Sequence, residues 1–168
     1  MKRRTYQELA AEAAAQIAEI APWDLSRMLK ERDDLLVLDV REPAEFEALR
    51  IRGSINVPRG VLEAACEWDY PETVPELVRA RERPVVIVCR SGARSAFAAI
   101  VMRLLGYGEV YSLKLGVRGW NDGDLPLVDV TGEPVDGDAA ADMIDPEISP
   151  EQRDPARVKP VSGKPISG

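Results

Sequence analysis

The chain contains no histidine. That absence removes the Ser-His-Asp and Cys-His nucleophile pairs together, and most zinc chemistry with them. Cysteine is scarce as well. Cys66 and Cys89 are the only two, too few and too far apart for a disulfide framework or a zinc ligand set. No metal site and no cofactor is expected. Positive charge is in deficit: 22 Lys and Arg against 29 Asp and Glu leave a formal charge of −7, which argues against general nucleic-acid binding. No apolar stretch approaches the roughly 20 residues of a membrane span. The basic start, Met1-Lys2-Arg3-Arg4, is followed by Glu8, Glu12, Gln16 and Glu19, which interrupt the apolar core a signal peptide needs. The segment reads as an amphipathic helix of a cytoplasmic protein. Apolar residues make up 45% of the chain, ordinary for a soluble globular protein, and 168 residues suit one domain with extensions.

The pattern along the chain is more informative. Residues 5–19 predict a helix, with Leu9, Ala13, Ile17 and Ile20 at three-to-four spacing. Pro22 suits the first turn of a second helix running to about Lys30. Apolar runs predict strands at 35–39, 55–57, 85–88 and 110–113. Further helices are expected from Pro43, from Pro75 to Arg83, and from about Ser95 to Gly106. The last of these carries Phe97, Ile100, Val101, Leu104 and Leu105 on one face. Residues 59–71 show no clear period. Strands alternating with helices indicate an α/β domain, a parallel sheet covered on both faces. Ligands of such sheets bind outside the carboxyl ends of the strands. Three parts are expected: a helical extension at 1–19, a domain at 20–128 and a tail at 129–168. Residues 129–151 hold eight acidic residues and no Lys or Arg. With six prolines between 134 and 165, the tail is expected to be extended or disordered, at least from about residue 136.

One stretch stands out: Val85-Val86-Ile87-Val88-Cys89-Arg90-Ser91-Gly92-Ala93-Arg94-Ser95. It places Cys89 at the carboxyl end of a buried strand with a helix starting just beyond. Backbone N–H groups, the positive helix end and two arginines then all favour the thiolate, which is the nucleophilic form. The alternative is an inert buried cysteine. Asp39 stands at the carboxyl end of another expected strand, so pattern and fold rule select one location.

The motifs Leu36-Val37-Leu38-Asp39-Val40-Arg41-Glu42-Pro43 with Glu45-Phe46, Gly53-Ser54-Ile55-Asn56-Val57-Pro58, Val88-Cys89-Arg90-Ser91-Gly92-Ala93-Arg94-Ser95, and Gly116 to Gly119-Trp120 resemble those of single-domain rhodaneses, the thiosulfate-type sulfurtransferases. They occur in that family's order and spacing over about residues 20–128. The resemblance implies a five-stranded parallel sheet with helices on both faces and a catalytic cysteine, Cys89, in the six-residue loop Cys89–Arg94. It also implies transfer of a sulfane sulfur from a small donor such as thiosulfate, through a persulfide on Cys89, to a thiol, cyanide or sulfur-carrier protein. Three positions depart from the family pattern. Arg50 replaces a frequent histidine, Leu115-Gly116 replaces two adjacent glycines, and Ser54 replaces an alanine.

Within the loop, inward N–H groups would hold a persulfide anion, and Gly92 would let the chain curl. Arg90, Ser91, Gly92, Ala93, Arg94 and Ser95 are the expected substrate-binding residues, with the two arginines either gripping an anion or lying solvated on the surface. Asp39, Arg41, Glu45 and Trp120 are expected to be structural. The resemblance implies that Arg41 pairs with carboxylates such as Glu45. Trp120 either covers the loop or fills the core. Cys66 is either an incidental thiol or a resolving one. Two rivals stand beside sulfur transfer. A phosphatase or arsenate reductase on the same fold has its arginine six positions after the cysteine, where this chain has Ser95. A non-catalytic or sulfur-relay interaction module would be served by the two extensions.

Overall fold

The β-branched apolar runs do form the centre of a sheet. In the computed structural model, which describes residues 1–157, five strands pair in parallel: β1 (Ala18–Ile20), β2 (Leu36–Asp39), β3 (Ile55–Asn56), β4 (Pro84–Val88) and β5 (Glu109–Leu113), in the spatial order β1-β5-β4-β2-β3. Every residue of β2 and β4 is buried, as expected of strands covered on both faces. Successive residues serve opposite faces. Leu36, Leu38, Val85 and Ile87 belong to one core cluster, while Val37, Val86 and Val88 belong to the other. Asp39 pairs in register with Val88, so the carboxyl ends of β2 and β4 lie level. That register brings Asp39 and Cys89 to one edge of the molecule.

One face is covered by α4 (Leu62–Ala65), α5 (Pro75–Val78) and α6 (Ala93–Leu104), the other by α2 (Pro22–Glu31) and α7 (Gly116–Asp122). The short α3 (Pro43–Ala48) follows β2. The face of α6 that meets the sheet is not the expected one. Ser95, Ala96, Ala98, Ala99 and Met102 are its buried residues, because small side chains let a helix approach a sheet closely. The larger Phe97 turns instead toward α1 (Tyr6–Ala14), with the Tyr6 ring 6.4 Å from its own. α1 is shorter than the expected 5–19 helix. It starts at a Thr5/Glu8 capping box and gives way to β1, an edge strand with one partly buried residue in three and hence no periodic signal. The helix expected over Pro75–Arg83 stops at Val78. The Arg81 guanidinium folds back to donate to the carbonyls of Val78, Cys66 and Leu105 at 3.0, 2.7 and 3.1 Å.

The largest departure lies after residue 128. The acidic segment was expected to be a solvated extension, but much of it docks on the domain. Arg50 and Val128 exchange backbone hydrogen bonds, both 2.9 Å, and the Val135 amide donates to the Leu127 carbonyl at 2.9 Å. A further helix, α8 (Gly137–Ile144), is N-capped by Asp136. Its Ala140 and Ile144 sit one turn apart and are buried in the cluster holding Leu25, Val117 and Trp120. The acidic residues face outward, so a composition poor in large apolar groups still builds one sealing stripe. Arg118 of α7 forms an ion pair with Asp145. Residues 158–168 of the expected tail lie outside the described residues. Among the described residues no helix is long and apolar enough to cross a membrane.

Candidate active site

At the end of β2, Asp39 and Arg41 are both buried. A buried charge needs a partner and full hydrogen bonding, and each has both. The Asp39 carboxylate accepts from the Arg41 amide at 3.0 Å and from Arg41 Nε and Nη2 at 3.0 and 2.7 Å. Arg41 Nη2 also donates to the Leu49 carbonyl at 2.8 Å. Asn56 Nδ2 closes the turn by donating to the carbonyls of Asp39 and Arg41, at 3.0 and 2.9 Å. Arg41 therefore pairs with Asp39, not with Glu45 as the resemblance implied. A short two-residue reach inside a buried turn wins over the longer one to α3.

Glu45 grips the loop instead. Arg94 Nη1 and Nη2 donate to its two oxygens at 2.7 and 2.8 Å, a fork-to-fork pair. Those bonds hold the Glu45 carboxyl below the usual carboxylate range, against partial burial that opposes the shift. They also raise Arg94 above its ordinary value, burial again opposing, with the negative charge of Glu45 contributing further.

Cys89 itself is buried, at 1% exposure. Its Sγ accepts the Gly92 amide at 3.1 Å and lies 3.3 Å from Ser95 Oγ. Gly92 reaches this position with a φ of +99°, in the left-handed region that side chains resist. Behind the sulfur, Ser95 Oγ lies 2.8 Å from Ser112 Oγ on β5, and both serines are fully buried. The loop's outer edge is pinned by α7: the amides of Val117 and Arg118 donate to the carbonyls of Cys89 and Arg90 at 2.9 and 3.1 Å. Gly116 is required there, since a Cβ would fall 2.1 Å from the Cys89 carbonyl oxygen. Leu115, where the family often has glycine, adopts a left-handed φ of +63°.

The loop arginines thus differ. Arg94 is committed to Glu45. Arg90 is exposed and enters no ion pair among the described residues. Ser91 and Ala93 lie at the loop surface, half-buried. Trp120 takes the core position of its two readings, buried, with Nε1 donating to the Pro126 carbonyl at 3.0 Å. Arg50 lies over the Phe46 ring at 4.7 Å and donates to the Asp129 carbonyl at 3.3 Å, so it anchors the C-terminal segment. Cys66 is fully buried, and burial pushes its thiol above the ordinary value. Ser112 was missed by sequence reasoning. Its one signal is a hydroxyl inside the apolar run of β5.

Cys89 thus stands at a strand end, wrapped by a short loop and backed by a helix start. Residues 22–123 match the model of the rhodanese-like domain. The chain belongs to the rhodanese family. A sulfurtransferase of Allochromatium vinosum is 34% identical over 112 residues, which cover 67% of this chain and 95% of that one. Among solved structures, a protein of unknown function from Rhodopseudomonas palustris, called a possible tyrosine phosphatase, aligns with a TM-score of 0.67 at 27% identity. It covers 75% of this chain and 96% of its own. The human single-domain sulfurtransferase TSTD1 aligns with a TM-score of 0.54 at 27% identity, covering 62% and 95%. The matched rhodanese region ends before Val128, so α8 lies outside it.

Proposed function

We propose that this rhodanese is a sulfurtransferase that carries a sulfane sulfur on Cys89. The observation that carries the reading is the Cys89 sulfur held by the Gly92 amide and the Ser95 hydroxyl inside a six-residue loop. The thiolate of Cys89 attacks the outer sulfur of thiosulfate. A sulfur–sulfur bond forms at Cys89, the donor's own sulfur–sulfur bond breaks, and sulfite leaves with the electron pair. The resulting persulfide anion is polarisable and negative, and the preorganised N–H donors of the loop stabilise such charge more strongly here than water would. A thiolate or cyanide then takes the outer sulfur and returns the Cys89 thiolate. Arg90, in no ion pair among the described residues, is the group available to an anionic donor at the loop mouth; Arg94 holds the loop through Glu45. Ser91 and Ala93 contribute backbone to the same loop.

The phosphatase reading is raised by the name given to the Rhodopseudomonas relative. Loop length speaks against it: Arg94 is five positions after Cys89 and already occupied by Glu45. The test is intact-protein mass spectrometry after incubation with thiosulfate. One added sulfur on Cys89, removable by cyanide and absent in Cys89→Ser, is expected, with no hydrolysis of an aryl phosphate. An adduct on Cys66, or full transfer by Cys89→Ser, would overturn the assignment.

A further inference from the structure

The C-terminal helix does more than seal the core. A cleft of about 230 Å³ flanks the Cys89 loop, lined by Arg41, Ala44, Glu45, Ala48 and Leu49 on one side, Arg90 at the loop, and Met143 and Ile144 of α8 on the other. Arg41 and Glu45 spend their charges on Asp39 and Arg94. What faces an occupant is therefore Arg90, a cation in no ion pair among the described residues, beside an apolar wall. That wall is completed by residues outside the region matching the rhodanese family. Asp145, next in chain after Ile144, pairs with Arg118 of α7, which fixes the end of α8 beside the loop that α7 pins.

We propose that α8 is a specificity element. Its Met143 forms the wall of a subsite for the carbon substituent of the sulfur donor, so this chain favours donors in which an anionic sulfane group is attached to an apolar organic group over thiosulfate itself. The inference rests on the sulfur-transfer reading above. Arg90 and the wall divide the work between them: the cation takes the negative end, and Met143, Ala44, Ala48 and Leu49 take the carbon. The volume limits the occupant. It is below the roughly 300–1,000 Å³ of sites for drug-sized ligands, which suits a single ring or short chain. The unbranched thioether of Met143 adapts to occupants of different shape. It is 53% exposed, so an occupant against it removes apolar surface from water, and replacing it does not open the core.

The chemistry needs no additional reagent. With an organic thiosulfonate, the Cys89 thiolate attacks the terminal sulfur, a sulfur–sulfur bond forms at Cys89, the donor's sulfur–sulfur bond breaks, and the organic sulfinate departs with the electron pair. Benzenethiosulfonate and thiosulfate thus deliver the same sulfur and differ in the group left in the cleft.

The experiment compares kcat/KM for these two donors in the wild-type chain, Met143→Ala and Met143→Leu. Losing about 40 Å² of apolar contact predicts that Met143→Ala lowers the benzenethiosulfonate-to-thiosulfate ratio about five-fold, with the change in KM. Met143→Leu should restore most of it. Titration with benzenesulfinate, the leaving group, should show binding weakened by a similar factor in Met143→Ala, a readout independent of turnover. An unchanged ratio in Met143→Ala, or unchanged benzenesulfinate binding, overturns the role of α8 while leaving sulfur transfer intact. Failure of both donors to load Cys89 in the wild-type chain overturns the sulfur-transfer reading and this inference together.

Discussion

Three arginines lie at or beside the loop, and the partners of each decide what it can do. Arg41 is buried against Asp39, Arg94 is forked onto Glu45, and Arg90 is unpaired among the described residues. A charge already satisfied by a carboxylate adds little to binding a second anion, whereas a free guanidinium offers planar donors. Arg90→Ala should therefore raise KM for thiosulfate about ten-fold, the scale of one charge-assisted hydrogen bond, with a larger effect at low salt. Arg94→Ala should instead lower kcat, and do so equally for anionic and neutral donors, because it releases the loop. Steady-state kinetics with both donor types at two salt concentrations check this. A purely anionic-donor effect in Arg94→Ala would contradict the assignment. Residue types and spacing made the place of Cys89 at a strand end legible, and the places of the loop arginines with it. The division between the arginines was not legible, because Glu45 lies 49 positions from Arg94 and nothing local distinguishes the two cations.

At the scale of elements, strands flanked by turns were easier to read than anything that depends on a partner. β2 and β4 carry apolar runs that need burial wherever they lie. β1 has three residues, with Glu19 in the middle, and is a strand only because β5 offers it an edge. The inner face of α6 was misread for a related reason: large side chains carry the stronger pattern, but alanines fit a helix against a sheet. α8 was hidden by its acidic composition, although Ala140 and Ile144 share one face. The docking of α8 has a measurable consequence. A chain ending at Val135 exposes the sites that Ala140 and Ile144 fill, and burying one Ile side chain is worth about 1.5–3 kcal/mol. Loss of about 3 kcal/mol is expected, or a Tm lower by about 6–12 °C at this chain length, measured by calorimetry. A Tm equal to that of the full chain would mean that α8 rests on the domain without stabilising it.

At the scale of the whole molecule, the sheet gathers the strand ends and two ion pairs fasten what surrounds them. Glu45–Arg94 ties α3 to the loop, and Arg118–Asp145 ties α7 to the segment after α8. Both carboxyls are held below their ordinary values, chiefly by the arginine hydrogen bonds. Asp145 is close to solvent, where such pairs contribute little; Glu45 is the more enclosed. A carboxylate whose value is lowered by folding binds fewer protons folded than unfolded, so its contribution is complete above the unfolded value, about 4.3 for Glu, and fades as pH falls through the lowered one. Glu45→Gln keeps the shape and removes the charge. Urea midpoints for the wild-type chain and Glu45→Gln should therefore differ most near pH 6–7, and the gap should close as pH falls from about 4.3. The same titration should release the loop, so sulfur loading at Cys89 should fall over that interval in the wild-type chain and show no such step in Glu45→Gln. A gap in midpoints that stays constant down to about pH 3, well below the ordinary Glu value, would mean that the pair is held by geometry alone and that its charge stabilises nothing.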